Sequence, residues 1–161
     1  GVSLDVVVGV LDGVLVLKGS VVTASVTSST ESGRVVVDGS ATLRLGSVVR
    51  VGATSGSAVT LVDSIAVVDQ DDAFVVSGTN ATINTMRAHL VLHDFNGVAA
   101  GSVDSAFSFA LDGSVTLLIV GVGSGVALSR AKTQTQQQPV QFVAGGGCNG
   151  LFLSSHTQSS R

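Results

Sequence analysis

A short run of glycine, serine and valine recurs along this chain and limits what it can fold into. Gly19-Ser20-Val21-Val22 returns as Gly46-Ser47-Val48-Val49. Gly101-Ser102-Val103 follows at close to twice that interval, and Phe74-Val75-Val76 lies in the middle of the gap. Short valine-rich strands repeating in this way are typical of a β-solenoid. The pattern predicts an all-β fold, a parallel β-solenoid (β-helix) of about 25 to 27 residues per rung.

This register makes a specific prediction about stacking. Val21, Val48, Val75 and Val103 would lie in adjacent rungs, each about 4.8 Å from the next. An antiparallel β-sandwich or jelly roll is the alternative, because Asp-Gly between apolar residues is a strong hairpin signal. Asp12-Gly13 and Asp38-Gly39 both occur in that setting, and in the alternative they would form hairpin tips.

Composition excludes several other classes of protein. The 161 residues are 45% hydrophobic and 12% charged, which is too apolar and too poor in charge for a disordered chain. A coiled coil is excluded because Ala, Glu, Lys and Leu do not dominate the composition. A net charge of −3 gives no basic footprint for nucleic acid, and no apolar run has the roughly eighteen residues of a membrane-spanning helix. We assign residues 1–153 to one all-β domain and residues 154–161 to a flexible serine-rich tail.

The densest acidic cluster is Asp69-Gln70-Asp71-Asp72, directly after the apolar residues 65–68. Adjacent carboxylates repel each other, so one of them can stay protonated near neutral pH. Such a pair can serve as general acid and base in sugar hydrolysis. A solvated turn between strands, or a weak calcium site, explains the same residues without catalysis.

The stretch from Asp69 to Asn80 resembles the aspartate-pair segment of polygalacturonases, glycoside hydrolases of the pectin-lyase-like parallel β-helix class. The resemblance implies catalytic roles for Asp71 and Asp72, with His93 tuning one of them. It also implies that Arg130 and Lys132 bind the carboxylate of an acidic sugar. The chain has no aspartate near position 51 to match the family's third catalytic carboxylate, and it has no tyrosine. We therefore expect little or no turnover.

No metal or cofactor is expected from the remaining motifs. His89 and His93 lie four residues apart with Asp94 adjacent, and on a strand they would share one face. Four residues of strand span about 13 Å, which is too far for both imidazoles to reach one ion without a turn. Cys148 is the only cysteine, and nothing near it in the sequence would activate its thiol.

The sequence favours a structural function. We expect an extracellular, cell-surface or particle-surface module, adhesive or fibre-forming, that associates with itself through the open strand edges at the ends of the solenoid. Two alternatives stay open. One is a polygalacturonase-like hydrolase, or its inactive derivative that still binds acidic polysaccharide. The other is a capsid or decoration protein with a jelly roll.

Overall fold

The computed structural model describes residues 4–121, 125–130, 140–145 and 151–154, and it shows these residues as strands, turns and corners without a helix. No helix that could cross a membrane occurs in this part of the chain. The eleven strands are β1 (Asp5–Leu11), β2 (Val14–Ser29), β3 (Arg34–Leu45), β4 (Val49–Ala53), β5 (Ala58–Val62), β6 (Ile65–Asp69), β7 (Phe74–Asp112), β8 (Val115–Val120), β9 (Gly125–Arg130), β10 (Val140–Gly145) and β11 (Leu151–Ser154).

The paired strands run parallel, so the chain coils as a β-solenoid of about six turns. One row of strands follows the order β1-β2-β3-β4-β6-β7-β8-β10. A second row contains β5, which pairs with β3 and β7, and β9, which pairs with β7 and β11. The long strands β3 and β7 bend and contribute to both rows. The parallel β-solenoid predicted from the sequence is confirmed.

The antiparallel alternative is wrong. Asp12-Gly13 lies at a corner between β1 and β2, and these two strands pair in parallel rather than as a hairpin. Asp38-Gly39 lies within β3. Gly39 has a φ of 139° and packs so closely against the backbone of Gly19 in the preceding rung that a Cβ would clash with its carbonyl oxygen. This Asp-Gly pair therefore lets two rungs approach each other and does not reverse the chain.

The predicted rung length holds only near the end of the chain. Val115 pairs with Val140, an offset within the predicted range. Arg34 pairs with Arg50, and these two residues have the smallest separation along the chain of any described pair. Asn96 pairs with Thr116 at a somewhat larger separation. From β1 to β9 all offsets between paired residues stay between these two, below the predicted range. The rungs are shorter than predicted because most corners take only two to four residues.

The predicted stacking of Val21 on Val48 is also wrong. Val21 pairs with Ala41, and Val75 pairs with Ala58. The two Gly-Ser-Val-Val copies occupy different parts of the rung: Val21 lies inside β2 and is 4% exposed, whereas Val48 follows a turn and is 50% exposed. The two copies of the motif therefore occupy non-equivalent positions in the rung. The predicted tail from residue 154 lies outside the described residues, apart from Ser154 at the end of β11.

The core consists of columns of aliphatic side chains that run from rung to rung inside the coil. Val21, Ala41, Val59 and Val76 form one such column, each paired with the next and each at most 5% exposed. Alternate residues point outward, as the burial along β8 shows. Because successive strand residues face opposite sides, apolar residues at about every second position build this interior.

Candidate functional site

The acidic cluster lies at the corner between β6 and β7. Gln70 holds this corner to the preceding rung: its amide nitrogen donates to the carbonyl oxygen of Ala53 at 2.8 Å, and its amide oxygen accepts from the Ala53 N–H at 3.0 Å. The same amide nitrogen donates to the carbonyl oxygen of Asp72 at 2.8 Å. Gln70 thereby takes the place of a short piece of backbone and fixes the shape of the corner.

Asp69 interacts with the following rung. One carboxylate oxygen accepts hydrogen bonds from the Met86 N–H at 2.7 Å and the Arg87 N–H at 3.3 Å, and from the Thr85 hydroxyl at 3.4 Å. The register shifts by one residue at this point, because Val67 pairs with Asn84 but Asp69 pairs with Arg87. A bulge leaves N–H groups without their usual ladder partners. The Asp69 carboxylate satisfies them, which is a structural role.

Asp71 and Asp72, the predicted acid and base, are both exposed at the outside of this corner. Asp71 forms an ion pair with Arg87 across 3.1 Å, with 71% and 60% of the two side chains exposed. Asp72 contributes its backbone carbonyl to Gln70. Among the described residues, no hydrogen bond or ion pair links either aspartate to His93. Their catalytic roles stay predictions.

His93 lies between two other carboxylates. Its Nδ1 is 3.1 Å from Oδ2 of Asp112, one rung further on, and its Nε2 is 3.3 Å from Oδ2 of Asp94. His89 pairs in the same way with the next rung, with its Nδ1 2.8 Å from the Ser108 hydroxyl. Both histidines therefore link outward-facing groups of neighbouring rungs. In the part of the chain that the structure describes, no group of three or more histidine, cysteine or acidic residues could hold a metal ion.

The predicted carboxylate-binding pair is described only in part. Arg130 is the last residue of β9 and pairs with Leu111 in β7. Lys132 lies outside the described residues. The structure therefore gives no geometry for the pair, and its role as a sugar-carboxylate site stays a prediction.

The pKa of the Asp12 carboxyl is lowered by hydrogen bonds. Its Oδ1 accepts hydrogen bonds from the hydroxyls of Ser32 at 2.7 Å and Thr30 at 2.8 Å, which belong to the next rung. These two bonds, led by that from Ser32, lower the pKa of the Asp12 carboxyl below its ordinary 3.8 because they favour the ionised form. In the sequence, only its place in a turn distinguishes this aspartate.

Two arginines that sequence reasoning missed lie side by side on the outer surface. Arg34 and Arg50 are paired residues of β3 and β4, and both line a small concavity with Val67 and Asp69. Their separation along the chain matches the short rungs and not the longer interval predicted from the repeats. The wrong register therefore concealed their proximity.

No family model, no curated protein and no solved structure matches the chain. The parallel β-helix part of the predicted resemblance agrees with the fold. Its polygalacturonase part has no support from a family or a relative.

Proposed function

We propose that the chain is a structural surface module that associates with further copies of itself through the edge of β1 that faces away from β2. Strand β1 pairs with β2 and is the terminal strand of its row. None of the described residues pairs with its other edge. An unpaired strand edge offers N–H and C=O groups to another chain and is a common route to association.

The side chains of this end rung carry the proposal. Val6, Val8 and Leu15 point toward the interior, but they are only partly buried because no described rung covers them. Covering an aliphatic interior of this kind is favourable by about 25 cal/mol for each Å² removed from water. A second copy whose strand adds to β1 would continue both the hydrogen-bond ladder and the core columns.

The small number of charged residues in the chain also supports self-association. With 12% charged residues and a net charge of −3, little electrostatic repulsion opposes stacking. Most of the described carboxylates and histidines that form a hydrogen bond or ion pair do so with a residue of the neighbouring rung, as Asp12, Asp69 and His93 do. These contacts suit a scaffold, and they are the reason for preferring a structural role to hydrolysis.

The test is the molar mass of the chain in solution as a function of concentration. Multi-angle light scattering should show species heavier than the 16.0 kDa chain, growing with concentration. Val8→Lys should shift the protein toward the single-chain mass, because the ammonium at an inward position of the end rung would be buried in a stack. In an isolated chain the same lysine can extend through the open end to water.

Val7→Lys is the matched control, since it adds the same charge to the neighbouring, outward-facing position. It should associate like the unchanged chain. Circular dichroism of both variants checks that β1 still folds, and Val6→Lys repeats the test if Val8→Lys is unfolded. A constant mass of 16.0 kDa for the unchanged chain, or equal effects of the two lysines, would contradict the proposal.

A further inference from the structure

Arg34 and Arg50 place two guanidinium groups on neighbouring parallel strands. The residues are directly paired between β3 and β4, and both are exposed. Adjacent parallel strands lie about 4.8 Å apart, and like charges directly opposite each other across a ladder are destabilising. The described residues supply no hydrogen bond or ion pair to either guanidinium group. Neither charge is therefore neutralised by an ion pair within this part of the chain.

The position of Arg34 depends on a glycine in the next rung. A Cβ at Gly52 would lie 2.7 Å from a terminal guanidinium nitrogen of Arg34 and 2.8 Å from the Gln70 amide oxygen. The guanidinium of Arg34 therefore lies beside the Gly52 backbone. Gln70 is itself fixed by its two hydrogen bonds to Ala53. Arg34 also lines the concavity that it shares with Arg50.

The residues around the concavity indicate the charge of a suitable ligand. Asp69 lines it too, and one oxygen of its carboxylate already binds the bulge at Met86. Two arginines and one aspartate leave a local excess of one positive charge. A monoanionic group would balance that excess, and the planar guanidinium fork matches the oxygens of such a group in geometry. Val67 adds an apolar wall.

We propose that Arg34 and Arg50 bind one monoanionic oxyanion, a sulfate ester or carboxylate, carried by an acidic polysaccharide. An acidic peptide fits less well, because the common ways of binding an extended peptide use a free strand edge or a preformed groove. Here β3 and β4 are paired within the sheet, with β4 between β3 and β6. A glycan needs only the charged fork and nearby groups for its hydroxyls.

Binding of the full chain to immobilised polymers tests this site. Dextran sulfate carries only sulfate esters, polygalacturonate carries only carboxylates, polyglutamate represents an acidic peptide, and unmodified dextran is the neutral control. We expect binding to at least one of the two acidic polysaccharides and none to dextran. Arg34→Gln and Arg50→Gln should each weaken that binding about tenfold, since each removes a charge-assisted hydrogen-bond donor.

Arg44→Gln is the matched control, because Arg44 lies on the same strand as Arg34, is exposed, pairs with Ser25 in β2 and does not line the concavity. It changes the net charge by the same amount and should leave binding within about twofold of the unchanged chain. Equal losses for all three variants would show a diffuse charge effect and overturn the site. So would failure to bind either polysaccharide, or binding confined to polyglutamate. Binding to one acidic polysaccharide alone would support the site and identify its oxyanion.

Val8 pairs with Val26 in β2, whereas the arginines lie on β3 and β4, which do not pair with β1. The variant Val8→Lys should therefore keep this binding. Polysaccharide binding and self-association can therefore fail independently, and each proposal has its own contradicting result.

Discussion

Many polar side chains in this molecule form hydrogen bonds with groups of a neighbouring rung. The residues of Asp69-Gln70-Asp71-Asp72 are chemically similar, but they have different structural roles. Asp69 holds a bulge, Gln70 replaces a backbone segment, and Asp71 forms an exposed ion pair with Arg87. Spacing along the chain predicted a carboxylate cluster, but it could not show which oxygens already had partners. Those partners belong to the preceding and following rungs, whose register the sequence did not reveal.

This division of roles predicts unequal effects of two similar substitutions. Asp69→Ala should lower the free energy of unfolding by about 1 to 2 kcal/mol, because it leaves N–H groups of the bulge without their acceptor. Asp71→Ala should cost less than about 0.5 kcal/mol, since its ion pair with Arg87 is mostly exposed. Urea denaturation of both variants measures the difference. Equal losses would contradict the structural role of Asp69.

Asp12 predicts a pH dependence whose sign follows from its lowered pKa. The Ser32 and Thr30 hydroxyls stabilise the carboxylate in the folded state, so the unfolded chain binds this proton more readily. The stabilisation is therefore complete above the ordinary value of 3.8 and disappears as the pH falls through the lower folded-state pKa. Asp12→Asn should be less stable than the unchanged chain at about pH 7 and should approach it in strong acid. A stability difference that stays constant over this range would contradict the assignment.

At the scale of strands and rungs, the recurrence of short valine-rich segments predicted a parallel β-solenoid, with an antiparallel sandwich as the alternative. Buried residues of β3 alternate with more exposed ones, and the buried residues form continuous columns with β2, β5 and β7. The pairing register of successive rungs was not predictable from the same residues, because the number of residues in the corners varies from rung to rung. The corner between β5 and β6 consists of Asp63 and Ser64, whereas the one between β6 and β7 takes residues 70–73. A repeated motif therefore does not keep its place from rung to rung.

The core columns predict where substitutions within one strand will be costly. Leu61 is 1% exposed and pairs with Leu43 in the preceding rung. Leu61→Ala should lower the free energy of unfolding by about 2 to 5 kcal/mol, since neighbouring rungs cannot collapse fully into the cavity. Thr60→Ala, at the adjacent outward position, should cost less than about 1 kcal/mol. Denaturant titrations compare the two, and a larger loss for Thr60→Ala would contradict the assigned faces of β5.

For the whole molecule, most contacts join residues in neighbouring rungs, and stability is then a sum over rungs and their interfaces. Such a design leaves the end rung incompletely covered, as the partial burial of Val6, Val8 and Leu15 shows. The proposed association through β1 follows from this geometry. The arginine pair depends on the same geometry, because only the short rung brings Arg34 beside Arg50.

The pairing of successive rungs underlies all of these proposals, and nuclear Overhauser contacts in isotope-labelled protein test it most directly. The structure predicts backbone contacts between Ser40 and Ala58 and between Thr42 and Thr60, in parallel register between neighbouring rungs. Cross-strand contacts between Val10 and Leu15, which would flank a hairpin tip at Asp12-Gly13, should be absent. Finding the Val10–Leu15 contacts without the parallel ones would contradict the solenoid.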